Sequence, residues 1–461
     1  CREDQQVTEP IEIRVDFDRK LRDWDGFGVN YVEMSHSRDG QYEDYGSFSL
    51  IGKEDRQRVL DLVFGADGLR PALVKCFLNP YLLDEPPEAG SSDMDAYRFD
   101  EYAPRMLQFA REGIRRSAEC GASLRFIATM YGPPAWATKQ KAVRGRDLNP
   151  AMERPLATFM LGCVRCLRER EGVPVEALSV HNEGEAGDRW PDSPEHDFNM
   201  HWPPEQVARF LTLLDEMKGK MGQDDLKPAP GETTGWGEFA PYAEAIAADP
   251  AAMEGIGLIT SHSFGGTDSS GVDLLRARKP HLHAWTTSTS WLKSGGVGFC
   301  YNFTRQVYDV GVNGLIPWAI IQRKGYWPGG DPNPNPPLLV TERDGEWAVQ
   351  VRGPYYYYKQ LTRAGQPGTA VAAVEGDNDE VKALAFADNG SGHGNAVVLT
   401  NTMPDERTVR LRNAGVAGPF RVRRTGETER FHPVGEFGVE AGCLTYTAPP
   451  ESVTTLFDRA D

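Results

Sequence analysis

The stretch Ala177-Leu178-Ser179-Val180-His181-Asn182-Glu183 decides how the rest of the sequence is interpreted. Leu178 and Val180 alternate with small or polar residues, as in a short buried strand, and the strand ends abruptly at Asn182 and Glu183. Enzymes built on a (β/α)8 barrel place their chemistry at the carboxyl ends of the barrel strands. The stretch therefore predicts a barrel strand that presents Asn182 and Glu183 to a pocket.

Length and charge narrow the classes of protein that this chain can represent. Its 461 residues are enough for a barrel and a smaller second domain. There is no apolar run of about 18 residues, the length that a membrane-spanning helix needs. The net charge of −17 argues against a nucleic-acid partner, because phosphates require stripes of Lys and Arg.

Strand-like and helix-like segments alternate along the first three quarters of the chain. Helices are expected at residues 54–64, 104–119, 155–170, 204–217 and 301–310, with a last one from 353. The strand-like segments are 26–31, 72–78, 124–130, 177–183, 227–232, 256–264, 282–288 and 314–321. The fifth is placed by count, since its prolines are unfavourable inside a sheet. Eight such units predict a parallel sheet that closes into an α/β (β/α)8 barrel.

The pattern changes in the last hundred residues, where short alternating segments are separated by Asn, Gly and Pro turns. These segments are 381–387, 395–401, 406–412, 418–424 and 443–457, and they predict an all-β sandwich. Residues 9–16 also alternate and are expected to join it, whereas 323–339 are expected to form a long loop. The predicted domains are an N-terminal strand (1–20), a catalytic barrel (21–362) and a C-terminal β-sandwich (363–461).

The seven cysteines bear on metal binding and on cellular location. Cys163 and Cys166 form a CxxC pattern, but they lie in a helical stretch without a second such pair, so two thiols on one helix are favoured over a zinc site. A chain that begins at Cys1 resembles a processed bacterial lipoprotein, although an arbitrary sequence boundary would look the same. Both interpretations lead us to expect an exported protein, secreted, periplasmic or at the cell surface, and the first implies a lipid anchor at Cys1.

Glu183 is the candidate for acid–base chemistry. Hydrolysis of a glycosidic bond with retention uses two carboxyl groups about 5–5.5 Å apart, one protonating the leaving oxygen and one attacking the anomeric carbon. Glu183 suits the first role and Asn182 could hold the sugar 2-hydroxyl, but a solvated loop carboxylate would also fit the sequence. No phosphate-binding loop, metal-ligand spacing or Ser-His-Asp order is present, so no cofactor is expected.

The order of several motifs is similar to that of the clan A glycoside hydrolases, and it resembles family 30 in particular. The motifs are Gly26-Phe27-Gly28, Met130 to Trp136, His181-Asn182-Glu183, His262-Ser263-Phe264, Trp285 to Ser288, Trp318, and the closing stretch Ala448 to Leu456. The resemblance implies a (β/α)8 barrel joined to a β-sandwich built from both chain ends, acting on an oligo- or polysaccharide. It also implies that Glu183 is the acid/base and that the seventh barrel strand supplies the nucleophile.

The sequence departs from the family pattern at that nucleophile. The family has Trp-x-Thr-Glu on the seventh strand, and this chain has Trp285-Thr286-Thr287-Ser288. A serine hydroxyl without a partner base cannot replace a carboxylate as nucleophile. Three interpretations stay open: Ser288 was introduced in place of a natural Glu, the protein is a natural glycan-binding homologue without catalysis, or another carboxylate such as Glu232 or Glu33 serves.

Further side chains are candidates for binding the substrate. They are Asn30, Lys75, Tyr131, Trp136, Trp236, His262, Phe264 and Trp318. Trp318 could form the platform under the sugar in the −1 subsite, although any of these aromatic residues could instead pack at the barrel end. His262 could bind a sugar hydroxyl, steer the nucleophile or be a buried structural residue. The family usually has arginine at the position of Lys75. Because Lys75 and Phe264 both depart from the usual pocket, a furanoside or another uncommon sugar stays open as the substrate.

Overall fold

A computed structural model describes residues 9–33, 44–88, 90–91, 93–185, 198–291, 295–324, 335–414 and 418–459. The chain divides into two compact units, one of residues 1–27, 291–307 and 352–461 and the other of residues 28–290 and 308–351. The domain boundaries expected at residues 20 and 362 stay predictions. Cys1 lies outside the described residues, so the lipid anchor expected there stays a prediction.

The second unit is built on a parallel barrel, as the sequence predicted. After strand β1 (Ile11–Asp23) come the barrel strands β2 (Gly26–Asn30), β3 (Leu73–Leu78), β4 (Arg125–Met130), β5 (Val175–Ser179), β6 (Lys227–Ala229), β7 (Ile259–His262), β8 (Ala284–Ser288) and β9 (Gly314–Leu315). They pair in the order β6-β5-β4-β3-β2-β9-β8-β7. The amide of Gly257 donates to the carbonyl of Pro228 at 2.8 Å, which bridges the remaining gap between β6 and β7.

Ten helices lie in the described ranges, and most follow a barrel strand. They are α1 (Lys53–Phe64), α2 (Phe99–Tyr102), α3 (Pro104–Glu119), α4 (Glu153–Arg165), α5 (Pro204–Lys220), α6 (Trp236–Ala248), α7 (Pro250–Gly255), α8 (Ser270–Arg278), α9 (Gly296–Arg305) and α10 (Gly353–Ala364). Two π-helical turns, Cys166–Arg170 and Gln306–Val310, continue α4 and α9. Helices α9 and α10 lie in the first unit.

Apolar side chains fill one layer of the barrel interior, and the buried polar side chains of Lys75 and Thr129 lie beyond that layer toward the carboxyl ends of the strands. One buried cluster includes Leu73, Ile127, Trp285 and Ile316, contributed by strands around the barrel and by the residue after β9. A side chain at Gly28 would come within 2.7 Å of Ile316 and 2.8 Å of Leu73. The close packing therefore requires glycine at this position.

The long loop expected over residues 323–339 falls largely outside the described residues, and the prediction was wrong only at its two ends, which are strands. Strand β10 (Ile321–Arg323) runs parallel to β11 (Leu338–Arg343), which pairs antiparallel with β12 (Glu346–Val351). Asp344 and Gly345 join β11 to β12 and both have positive φ, 54° and 84°. An Asp-Gly pair between alternating segments is a strong hairpin signal, and the Pro- and Gly-rich composition before it concealed that signal.

The first unit contains one sheet of nine strands. Besides β1 it holds β13 (Ala370–Glu375), β14 (Val381–Ala387), β15 (Ala396–Asn401), β16 (Arg407–Ala414), β17 (Phe420–Thr425), β18 (His432–Phe437), β19 (Cys443–Ala448) and β20 (Ser452–Phe457). Strand β1 pairs antiparallel with β13 and parallel with β16, so the prediction that an N-terminal strand joins this sheet is confirmed. Strands β13 and β18 were not expected, and the segment 443–457 contains two strands.

This sheet folds over on itself like a sandwich. Strands β18 and β19 stand at opposite ends of the strand order, yet the rings of Phe437 and Tyr446 are 5.4 Å apart. Side chains from distant strands, including Ile13, Val397 and Leu456, share one buried core. The alternation that predicted a sandwich therefore reflects one face of a bent sheet packed on itself.

Candidate active site

The ends of β5 and β6 place two glutamates beside each other. The amide of Glu183 donates to the carbonyl of Glu232 at 2.6 Å, and the amide of Glu232 donates to the carbonyl of His181 at 2.9 Å. Asn182 and Glu232 thereby form a parallel bridge beyond the regular ladder of the two strands. The pairing fixes the backbones from which both glutamate side chains start.

Glu183 is a strained and partly exposed residue at the end of the fourth barrel strand. Its φ of 46° lies in the left-handed region, which costs a residue with a side chain about 1–2 kcal/mol. Such strain occurs where the surrounding structure enforces it, often at functional sites. The Glu183 side chain is 14% exposed, and its Oε1 lies 3.2 Å from Nδ1 of His262. Its carboxylate can therefore meet both solvent and a buried imidazole.

His262, the last residue of β7, lies between the two glutamates. Its Nδ1 faces Glu183, and its Nε2 is 3.0 Å from Oε2 of Glu232. Burial alone would lower the pKa of His262, but the hydrogen bonds to Glu183 and Glu232 raise it above its ordinary value. The protonated imidazole can donate one N–H to each carboxylate.

Glu232 is fully buried and held by three side chains. Oε1 accepts a hydrogen bond from the Thr129 hydroxyl at 2.6 Å, and Oε2 accepts from Lys75 and faces His262. Burial would raise the pKa of Glu232, but the charges and hydrogen bonds of Lys75 and His262 outweigh it and hold that pKa at about 2. Glu232 therefore remains ionised at neutral pH, compensated by its partners as a buried charge must be.

Lys75 supplies the fixed positive charge of this cluster. Its side chain is fully buried, forms an ion pair with Glu232 and lies 3.4 Å from the carbonyl oxygen of Thr287. Its ammonium group is also 4.9 Å from the ring centre of Phe77. Burial lowers the pKa of Lys75, which the charge of Glu232 opposes. The sequence suggested that Lys75 ends the second barrel strand, but it is the third of the six residues of β3 and pairs with Glu232 inside the barrel.

Ser288 and Asn30 are buried polar residues whose side-chain atoms have no hydrogen-bond partner in the described part of the chain. Ser288 ends β8 in register with His262 of β7 and is 1% exposed, and Asn30 ends β2 in register with Lys75. A buried polar group without a partner costs about 1–3 kcal/mol. Both residues end barrel strands, the edge at which enzymes with this fold bind their ligands.

Aromatic residues form a cluster at the same end of the barrel. The ring of Trp318 lies 6.3 Å from that of Tyr131 and 5.8 Å from that of Phe77. The ring of Phe264 is 45% exposed and meets the ring of His262 edge-on at 5.4 Å. The structure therefore brings Tyr131 and Trp318 together and places Phe264 beside the Glu183–His262 pair.

The other candidates have contacts of a different kind. Trp236 begins α6, is fully buried, and donates from Nε1 to the Thr286 hydroxyl at 3.3 Å. Trp136 lies in a short 3-10 turn and donates from Nε1 to the carbonyl of Leu83 at 3.1 Å. These contacts do not join the two tryptophans to Glu183 or His262, and their sugar-binding roles stay predictions.

Two residues near Glu183 are marked weakly or not at all by the sequence. Asn199 accepts a hydrogen bond from Nδ2 of Asn182 at 3.0 Å and reaches Oε2 of Glu183 at 3.5 Å. It lies in a loop, where no pattern marks it. The sequence indicated Glu232 only as a substitute nucleophile, because the strand that precedes it, β6, has just three residues with Pro228 at its centre.

Several further features concern metals, thiols and membranes. In the described ranges, no three His, Cys, Asp or Glu side chains are grouped so as to hold a metal ion. Cys163 and Cys166, like Cys76, Cys120, Cys300 and Cys443, have free thiols. Each helix in those ranges is too short or too polar to span a bilayer.

No protein-family model matches this chain, and no curated protein matches it either. Solved structures do. The chain is similar to the catalytic domain of a family 30 xylanase C from Talaromyces cellulolyticus, with a TM-score of 0.75 and 16% identity over 97% of this chain and 99% of that one. It is similar to an endo-β-1,6-glucanase, with a TM-score of 0.72 and 16% identity over 99% of this chain and 96% of that one.

A third similar structure is that of a conserved exported protein from Bacteroides fragilis, with a TM-score of 0.73 and 13% identity over 96% of this chain and 99% of that one. All three likenesses extend over both compact units. At sequence identities of 13% and 16%, the three similarities establish the fold. The chain therefore has the barrel-plus-β-sheet fold of the family 30 glycoside hydrolases, and the predicted resemblance is confirmed at that level.

Proposed function

We propose that this chain recognises a β-linked glycan at the carboxyl end of its barrel, on a retaining β-glycosidase scaffold in which Ser288 stands at the nucleophile position. The observation that carries the proposal is the arrangement around His262. Its ring contacts the partly exposed Glu183 carboxylate of the fourth strand, and its backbone is in register with Ser288 of the seventh. The similarity to a xylanase and to an endo-β-1,6-glucanase supports a β-glycan as substrate.

The roles follow from the chemistry of double displacement. Glu183 protonates the departing glycosidic oxygen, while a carboxylate on the opposite face would attack the anomeric carbon. Ser288 offers only a neutral hydroxyl, and no base is within hydrogen-bond reach of its Oγ in the described residues. The first displacement therefore lacks its nucleophile, and we expect binding with very little hydrolysis.

The contacts of the two alternative carboxylates argue against either replacing that nucleophile. Glu232 is fully buried, and its side chain is held by Thr129, Lys75 and His262. Glu33 accepts hydrogen bonds from the amides of Arg105 and Met106 at 2.7 and 2.8 Å, at the N-terminal end of α3. Such a contact stabilises a helix end, so we assign Glu33 to the scaffold.

The experiment is to introduce the missing carboxylate. The Ser288→Glu variant and the unsubstituted chain are assayed on aryl β-glycosides and on β-glucan and xylan oligosaccharides. We expect Ser288→Glu to raise hydrolysis at least 100-fold, and the matched double variant Ser288→Glu, Glu183→Gln to lose that gain. In the unsubstituted chain, azide should act as an external nucleophile on an activated aryl glycoside and give a glycosyl azide of inverted configuration. Absence of both the gain and the azide product would refute the glycosidase assignment.

One observation favours a second function, natural glycan binding without catalysis. Two cationic groups, Lys75 and protonated His262, already match the two carboxylates Glu183 and Glu232. A carboxylate at position 288 would add an uncompensated charge to this buried set. Binding of an oligosaccharide by the unsubstituted chain, measured by calorimetry, together with an inert but folded Ser288→Glu variant, would support the binding function.

We also propose that the protein is exported, which the similarity to an exported protein of Bacteroides fragilis supports. Cell fractionation of a host that expresses the complete gene tests this. Recovery in the cytoplasm alone would contradict it. The lipid anchor at Cys1 stays a prediction from the sequence.

A further inference from the structure

Four ionisable side chains form one continuous line of contacts from the barrel interior to its surface. Lys75 contacts Glu232, Glu232 contacts His262, and His262 contacts Glu183. The first three are buried, and Glu183 reaches solvent. The mechanism above uses only Glu183, so the function of the other three needs an explanation.

We propose that Glu232 is a positioning residue that holds His262 in one tautomer, with Nδ1 facing Glu183, so that His262 and Glu183 share one mobile proton. The geometric part of this proposal stands without any enzymatic activity. Its consequence for catalysis rests on the proposed function, in which Glu183 is the acid/base.

Glu232 is held so that it cannot turn away from His262. Thr129 occupies Oε1, Lys75 pairs with Oε2, and the backbone of Glu232 is hydrogen-bonded on both sides to the segment that carries Glu183. An ionised carboxylate accepts hydrogen bonds and does not donate them. The ring nitrogen that faces Glu232, Nε2, must therefore carry a proton.

The other ring nitrogen of His262, Nδ1, faces Glu183 and exchanges its proton. With Nε2 always protonated, Nδ1 is the atom whose proton comes and goes, and it lies 3.2 Å from Oε1 of Glu183. Two arrangements hold the same number of protons: neutral His262 beside protonated Glu183, and imidazolium beside ionised Glu183. In the Ser288→Glu variant, protonated Glu183 gives its proton to the glycosidic oxygen, which leaves as a hydroxyl with the electrons of the broken C–O bond, while the carboxylate introduced at position 288 forms the new bond to the anomeric carbon. The carboxylate of Glu183 then takes a proton from the water that displaces the carboxylate at position 288.

The surroundings keep the proton within this pair. The ionisable groups that face His262 are Glu183, Glu232, Lys75 and His181. Burial lowers the pKa of His181 to about 3, so this second imidazole stays neutral and does not compete for the proton. Lys75 balances the charge of Glu232, which leaves the His262–Glu183 pair as the group that titrates.

The test is a nitrogen NMR titration of the histidine rings in the unsubstituted chain, with His262 assigned from the difference spectrum of a His262→Gln variant. We expect Nε2 of His262 to stay protonated across the titration and Nδ1 to titrate with a midpoint above the ordinary histidine value of about 6.5. Glu232→Gln should lower that midpoint by about one pH unit or more and abolish the single-tautomer spectrum, since a Gln amide can donate as well as accept.

Glu185→Gln is the matched control. Glu185 is also an acidic residue near the site and is partly buried, but its carboxylate accepts from the amide of Thr234 rather than from His262. An equal shift in the two variants, or a neutral His262 protonated at Nδ1 in the unsubstituted chain, would overturn the proposal. The second result needs no variant, so it decides the case even if Glu232→Gln does not fold. If Ser288→Glu gains no hydrolysis while the titration gives the expected result, only the glycosidase function is refuted.

Discussion

The backbone amide of Glu183 donates to the backbone carbonyl of Glu232 at 2.6 Å, while His262 bridges their side chains. The two carboxylates that follow neighbouring barrel strands are thus held close together, but their environments differ. Glu232 is sealed in the barrel and stays ionised, whereas Glu183 faces solvent in a left-handed backbone conformation. Environments that separate two carboxyl groups in this way commonly divide chemical roles between them.

The first prediction concerns the buried ion pair. Lys75→Met should lower the free energy of unfolding by about 3–5 kcal/mol, because it leaves the charge of Glu232 buried with its main compensating cation removed. Urea unfolding followed by fluorescence measures the loss. Adding Glu232→Gln to Lys75→Met should recover part of it, since the neutral amide no longer needs a cation.

Lys220→Met is the control for this experiment. Lys220 forms an exposed ion pair with Glu216 at 2.6 Å, and exposed pairs contribute about 0–1 kcal/mol. Losses of similar size in Lys75→Met and Lys220→Met would show that the buried pair has no special weight.

The second prediction concerns acid stability. The pKa of Glu232 is depressed in the folded chain, from 4.5 to about 2. A depressed pKa contributes stability that is present above pH 4.5 and is lost as the pH falls toward 2. By pH 3 the unsubstituted chain should have lost about 2 kcal/mol of this contribution. Unfolding free energies at pH 6 and pH 3 should therefore differ less in Glu232→Gln, and equal pH dependence in the two chains would contradict the prediction.

Much of the fold could be predicted from the sequence because periodicity reports which residues are buried. The segments predicted at 72–78 and 104–119 correspond to β3 (Leu73–Leu78) and α3 (Pro104–Glu119). Elements with weak periodicity were harder to predict from the sequence. Strand β6 has three residues with a central proline, and β12 alternates without being deeply buried.

The candidate site was less predictable, because its function depends on contacts between distant segments. Position in the sequence indicated Glu183 and Ser288 as ends of barrel strands. That Lys75 pairs with Glu232, 157 residues later, depends on where the two side chains point inside the closed barrel. Periodicity predicts which face of a strand is buried but does not predict which polar atoms on that face meet.

The third prediction separates stability from binding at Asn30. Neither side-chain polar atom of Asn30 has a partner in the described residues, so Asn30→Leu should raise the free energy of unfolding by about 1 kcal/mol. The predicted role of Asn30 in substrate binding leads us to expect that the same change also weakens oligosaccharide binding. Urea unfolding and calorimetry measure the two effects.

Asn401→Leu is the matched control for Asn30→Leu. Nδ2 of Asn401 is within 3.1 Å of the carbonyl oxygens of Asp405, Ala448 and Pro449, so its loss should cost about 2 kcal/mol or more. It should leave the affinity for the glycan unchanged. Destabilisation by Asn30→Leu as large as that by Asn401→Leu would indicate that Asn30 serves the scaffold.

The fourth prediction concerns the aromatic cluster at the barrel end. Trp318→Ala should weaken oligosaccharide binding roughly 10- to 100-fold. The indole face is expected to cover the apolar side of a pyranose ring, and losing that contact costs about one to three kcal/mol of binding free energy. Trp347→Ala, on the partly exposed strand β12, is the control and should change the affinity less than twofold. Calorimetry with the same oligosaccharide measures both. A Trp318→Ala variant that binds as tightly as the unsubstituted chain would mean that Trp318 only packs against Tyr131 and Phe77, and the −1 platform would have to be sought at Phe264 beside His262.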